Sequence, residues 1–134
     1  MAHFVLDSYA MLAYFRNEEG REKVEQLLNE AVADKHKLYM TCINAGEVYY
    51  ITYRRDGADK AALVWKALQQ FPIHISEIDM TFTHKAAHIK AQYKLSYADA
   101  FAAALAITRK ATLITGDEEF EALKEKDLKV KYLK

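Results

Sequence analysis

Cysteine is nearly absent: Cys42 is the single one, so no internal disulfide can form and a reducing compartment is expected. One proline and four glycines exclude the make-up of a disordered or linker-rich chain. No apolar run approaches the roughly 18 residues that a bilayer-spanning helix needs, and no basic region leads into an apolar segment at the N-terminus. A cytoplasmic protein is therefore the expectation. Excess charge is also missing, because 19 Lys plus Arg balance 19 Asp plus Glu. The total gives no sign of a nucleic-acid partner, although a basic rim around an acidic centre would cancel in the sum. The chain has no G-x-G-x-x-G or G-x-x-x-x-G-K-[ST] phosphate loop and no G-x-S-x-G nucleophile elbow. Cys42 has no evident activating partner. His84 and His88 enclose Lys-Ala-Ala rather than the Glu-x-x of a zinc protease, and they read as surface residues on a polar helix face.

What remains is an ordinary globular composition, 51% hydrophobic and 28% charged, over 134 residues. That length fits one domain, 1–134, with a substantial core. Strand-like and helix-like stretches alternate almost throughout. His3 to Leu6 reads as a buried strand followed by a short helix from Asp7-Ser8 to Phe15. Asn17 can cap an amphipathic helix to Asp34 with Val24, Leu27, Leu28, Ala31 and Val32 on one face. Leu38 to Thr41 is a second strand, and Asn44 with Glu47 three residues on has the spacing of a capping box opening a helix to Arg55. Gly57 breaks that helix, and Asp59 can cap the next, which runs to Phe71 before Pro72. Ile73 to Ile78 alternates as a strand should, and Asp79 can cap a helix carrying Phe82, Ala86, Ile89 and Tyr93. Ser96 and Asp99 form a second capping-box pair ahead of an Ala-rich helix through Ile107. Ala111 to Thr115 is a strand ending at Gly116-Asp117, then a short acidic helix at Glu118 to Glu125 and a last strand at Lys129 to Tyr132. Such alternation predicts an α/β fold with a mostly parallel sheet covered by helices on both faces.

Four acids stand at comparable places in this pattern. Asp7 and Asp117 follow strands; Glu47 and Asp99 sit in the first turns of helices. Each alone has a structural account, as an N-cap or a capping-box partner. Together they have another. In right-handed βαβ connections, strand ends and the helix starts that follow share one edge of the sheet. Four carboxylates gathered there would repel, and they are costly to hold ionised without a cation. A hard divalent ion with oxygen ligands, Mg²⁺ or Mn²⁺, is the natural partner. Ser8 and Thr115 are auxiliary candidates for bonding ligand oxygens or water. Arg16, Lys94, Arg109 and Lys110 are candidate phosphate contacts. Tyr49, Tyr50 and Tyr53 offer either a stacking surface for single-stranded RNA or core and dimer-interface packing.

The stretches FVLDSYAMLAYF, INAGEVYY, LSYADAFAAALA and ATLITGDEEF resemble the acidic motifs of PIN-domain ribonucleases, most closely the VapC-type toxins of prokaryotic toxin–antitoxin pairs. The resemblance covers essentially the whole chain, with four motifs in order. It implies an α/β/α sandwich around a parallel sheet and Mg²⁺- or Mn²⁺-dependent cleavage of RNA. The implied site is Asp7, Glu47, Asp99 and Asp117, the four acids reached above. It further implies a homodimer and a tight complex with a small antitoxin protein. Two other readings stand beside it. An α/β phosphatase or phosphoacceptor would use Asp7, but a D-x-D pair is lacking because residue 9 is Tyr. A non-catalytic binding module would use the acids as helix caps only.

Overall fold

The computed structural model describes residues 1–123 and 127–134. The strands are β1 (Ala2–Leu6), β2 (His36–Thr41), β3 (Ile73–Ser76), β4 (Thr112–Thr115) and β5 (Lys129–Tyr132). They form one sheet in the order β3-β2-β1-β4-β5, and every pairing is parallel. Parallel neighbours cannot be joined by tight hairpins, so most of the connections carry helices across a face. The helices are α1 (Ser8–Phe15) and α2 (Arg21–Val32), α3 (Cys42–Asp56) and α4 (Ala58–Gln70), and α5 (Met80–Gln92) and α6 (Tyr97–Arg109). Only a 3-10 turn at Glu118–Ala122 is described between β4 and β5.

The two-residue period of the strands divides the core. Val5, Tyr39 and Leu113 face α5 and α6, whereas Leu6, Met40 and Ile114 face the first four helices. Leu113 and Ile114 are essentially removed from water, and each such burial contributes about 1.5–3 kcal/mol. Ala100 to Ala106 are all buried, which explains a helix that is apolar nearly all round. Small side chains there let its axis lie close to the sheet.

Several helix starts differ from the expectation. Gly20, at φ 98°, precedes α2, and Asn17 lies in a left-handed conformation outside it. Thr41 caps α3 by accepting from the Asn44 N–H, so Asn44 is inside the first turn and Glu47 is not its capping-box partner. Gly57 precedes α4, leaving Asp59 in the first turn. β3 stops at Ser76, short of Ile78. Asp79 and Ser96 do cap α5 and α6. Glu125, the predicted end of the acidic helix, lies outside the described residues.

The strand order decides where a ligand can sit. From β1 the chain builds outward to β2 and β3, then returns to the other side of β1 to lay down β4. The two halves of the sheet diverge between β1 and β4, and the crevice beyond the carboxyl ends of those strands is the binding position of open α/β sheets.

Candidate metal centre

Leu6 is in register with Ile114, so the residues that leave the sheet at that crevice are Asp7 from β1 and Gly116-Asp117 from β4. α3 opens at the same edge because it follows β2 directly. α6 opens there too, since it must run antiparallel to β4 to reach the start of that strand. The topology thus delivers all four predicted acids to one edge.

Asp7 is completely buried. Its Oδ1 accepts from the Ala10 N–H at 2.8 Å, which is the N-cap bond of α1. Its Oδ2 is buried and closes no hydrogen bond of ordinary geometry. Burial pushes its pKa up to about 7; the nearby Thr115 hydroxyl and the Ala10 amide pull it down, and the charges of Asp117 and Glu47 raise it. Asp99 is raised to about 8, by burial first, then by the charges of Asp7 and Asp117, with a hydrogen bond to Asp117 favouring the proton. Ser96 works against that shift. The charges of Asp117 and Glu47 thus reach Asp7, and those of Asp7 and Asp117 reach Asp99.

One acid that the sequence reading omitted also belongs here. Carboxylate oxygens of Asp99, Asp117 and Glu119 all lie within 4.8 Å of one another. Glu119 is exposed, and its own N–H donates to Asp117 Oδ1 at 2.9 Å, so the turn that fixes Asp117 also swings Glu119 inward. A capping pattern at Asp117 was visible in the sequence, but the direction of the following turn was not. Asp7 and Glu47 are outside this tight trio; the Glu47 Oε2 accepts from the Tyr50 hydroxyl at 3.4 Å. The donor set is entirely carboxylate oxygen, and one buried oxygen closes no hydrogen bond of ordinary geometry. A hard divalent cation fits both features.

The remaining candidates separate by position. Thr115 Oγ1 accepts from the Asp117 N–H at 2.9 Å and holds that loop, and Ser8 is turned toward Asn44. Arg16 follows the far end of α1, and Arg109 ends α6 with Lys110 after it, helices about 12 and about 20 Å long. These three cations thus lie toward the opposite edge, with Arg109 stacked over Tyr39. Lys94 is exposed just before α6. A cation that the sequence did not single out, Lys134, is brought beside α1 because the Leu133 N–H donates to the Thr115 carbonyl at 2.9 Å. Its Nζ sits 5.4 Å from the Tyr9 ring centroid. Tyr49 packs on Tyr53 and, edge to face, on Trp65 of α4, while Tyr50, Tyr53 and Trp65 remain partly exposed. His84 and His88 are exposed, as expected.

A five-stranded parallel α/β/α fold with a carboxylate cluster at its switch point defines the class. The PIN domain model matches residues 4–126, and the chain belongs to that family. Similar solved structures include DNA-bound VapBC from Salmonella typhimurium, at 16% identity and TM-score 0.75 with both chains covered completely. VapBC2 from Rickettsia felis, bound to a promoter DNA fragment, gives 14% identity and TM-score 0.75 over 97% of this chain and 98% of that one. VapC20 from Mycobacterium tuberculosis, a toxin that cleaves the sarcin-ricin loop, gives 15% and 0.71 over 89% and 93%. At such identities the likeness is one of fold. No curated protein matches the chain significantly.

Proposed function

We propose that this chain is a divalent-metal-dependent endoribonuclease, the toxin of a VapBC-type pair, built as one PIN unit over 1–134 and acting in the cytoplasm. The observation that carries the reading is the buried Asp7 carboxylate, with one oxygen fixed by a backbone amide and the other closing no hydrogen bond of ordinary geometry, set among the charges of Glu47, Asp99 and Asp117. Membership of the PIN family and the fold shared with VapC20 support RNA as the substrate. Among the described residues no helix is long and apolar enough to cross a membrane.

Asp7, Asp99 and Asp117 would hold the ion, Mg²⁺ or Mn²⁺, with Glu47 and Glu119 completing the acidic wall. When bound, such an ion lowers the pKa of a coordinated water, orients it toward a phosphodiester and offsets the charge that develops. The protein groups prepare the site for that ion. The Ala10 amide fixes Asp7 so that Oδ2 is the oxygen left to bind. The Thr115 hydroxyl, accepting from the Asp117 N–H, and the Glu119 N–H, donating to Asp117 Oδ1, fix Asp117 on either side of its loop. Protons on Asp7 and Asp99 compete with the cation, so binding of the ion, and activity with it, should weaken as pH falls. Lys134 and Lys94 stand ready for the flanking phosphates.

A small antitoxin protein and a second copy of this chain are the proposed partners, in line with the toxin–antitoxin assemblies among structures of similar fold. The test begins with thermal unfolding, with and without millimolar Mn²⁺, of the parent and of Asp99→Asn. An ion that binds only the native state must raise the melting temperature. The parent should respond, the variant should not, and only the parent should cut RNA. Equal cleavage by a folded Asp99→Asn protein would sink the assignment.

A further inference from the structure

Asn44 is completely buried and uses every polar atom it carries. Its N–H donates to Thr41 Oγ1 at 3.0 Å, and its Oδ1 accepts from the Thr41 hydroxyl at 2.5 Å. Its Nδ2 donates twice, to Ser8 Oγ at 3.0 Å and to the Ala98 carbonyl at 3.2 Å. Its own carbonyl accepts from the Ser8 hydroxyl at 3.3 Å. The partners lie on three different elements. Ser8 follows Asp7, Ala98 precedes Asp99, and Asn44 itself is three residues before Glu47 on α3. One amide group therefore joins the first turns of α1, α3 and α6, each of which leads from or carries one acid of the centre.

The tie thus reaches a residue close in sequence to each of these acids. It needs one acceptor for the Thr41 hydroxyl and two donors for Ser8 and the Ala98 carbonyl. Among side chains of this length only the asparagine amide supplies that combination. Aspartate has no second donor, and serine or threonine cannot span the distance. The Ser8 hydroxyl, in turn, donates to the Asn44 carbonyl and accepts from its Nδ2, so its one proton is committed to this tie.

We propose that Asn44 is a positioning residue: its amide sets the spacing of Asp7, Glu47 and Asp99, and through that spacing the affinity of the centre for a divalent ion. This rests on the metal-centre reading above. It goes beyond that reading by assigning the geometry to a neutral residue that touches neither ion nor RNA.

The experiment compares the parent with Asn44→Ala, Ser8→Ala and Leu68→Ala. Leu68 is a buried core residue near the end of α4 that leads into β3, at the opposite sheet edge, and it serves as a purely structural control. Each protein is titrated with Mn²⁺ calorimetrically, and amide exchange is followed in metal-free buffer. Asn44→Ala should weaken Mn²⁺ binding about 10- to 100-fold, as loss of a residue that orients metal ligands does. It should also speed exchange of the Ala10 and Ala100 amides on α1 and α6. Ser8→Ala, which cuts only the α1 arm, should weaken binding less and affect Ala10 alone. Leu68→Ala should lower the melting temperature while leaving the Mn²⁺ affinity within about twofold of the parent. In RNA cleavage at fixed Mn²⁺, kcat should fall in Asn44→Ala with KM little changed. If Asn44→Ala binds Mn²⁺ like Leu68→Ala, the residue is only structural and the proposal is overturned. Should Asn44→Ala fail to fold, unchanged binding in Ser8→Ala overturns it equally. If the parent binds no Mn²⁺, the metal-centre reading itself fails and the proposal falls with it, a result distinct from the other two.

Discussion

A carboxyl group with no water around it and other acids in range keeps its proton to about pH 7, and Asp7 is such a group. The sign of the consequence follows from proton binding. Between about pH 4 and 7 the unfolded chain has released this proton while the folded chain retains it, so stability of the metal-free protein falls as pH rises. Asp99 acts in the same direction, up to about pH 8. The melting temperature of metal-free protein should accordingly be higher at pH 5 than at pH 8. In Asp7→Asn that decline should shrink, because Asn keeps the cap oxygen for the Ala10 amide and carries no charge. The variant should melt above the parent at pH 8 and yet cleave no RNA. A variant less stable than the parent at pH 8 would show that Asp7 is held by favourable contacts rather than strained by burial. At this scale the sequence was informative: Asp7, Asp99 and Asp117 were visible as capping positions, and the structure makes Asp7 and Asp117 caps while placing Asp117 in the carboxylate trio as well. Glu119 was not visible, because nothing in EEF marks which of its acids turns inward.

The elements place these residues through a few close approaches. A Cβ on Gly116 would lie 2.1 Å from Tyr9 Cε1, so the loop from β4 to Asp117 can pass under the α1 ring only with glycine there. Gly116→Ala must displace Tyr9 and, with it, the partner of Lys134; overpacking of this kind costs about 1–3 kcal/mol. Urea melts should show that loss, and a Tyr9→Ala, Gly116→Ala double variant should be more stable than the sum of its singles. Strict additivity would mean that the two do not collide. At α3, Thr41→Ala removes the cap hydroxyl and one partner of the Asn44 amide together, so its cost should exceed the roughly 1 kcal/mol of an ordinary cap. The helix starts were the least legible feature of the chain. Asn17, Asn44 and Asp59 are all good capping residues, but the chain chose Gly20, Thr41 and Gly57, because tertiary packing fixes where each helix must begin. Asn44, taken from its cap position, became the buried tie instead.

For the molecule as a whole, the centre exists only when four separate parts of the chain are folded together: β1 with α1, α3, α6, and the loop after β4. An ion bound there, as proposed, would stabilise the complete fold, and protons would compete with it for Asp7 and Asp99. The rise in melting temperature on adding Mn²⁺ should therefore be larger at pH 8 than at pH 6; a rise independent of pH would place the ion on other groups. The alternation of strands and helices, the mainly apolar strand cores and the Ala-rich α6 were determined by the sequence alone, since period and side-chain size are local properties. The four motifs with their acids were likewise legible in it. The order β3-β2-β1-β4-β5, the crevice it opens, the turn that brings in Glu119, the return of Lys134 and the burial of Asn44 were decided only in the tertiary structure. Each depends on contacts between residues far apart in the chain, such as Ser8, Asn44 and Ala98, whose pairing no local pattern encodes.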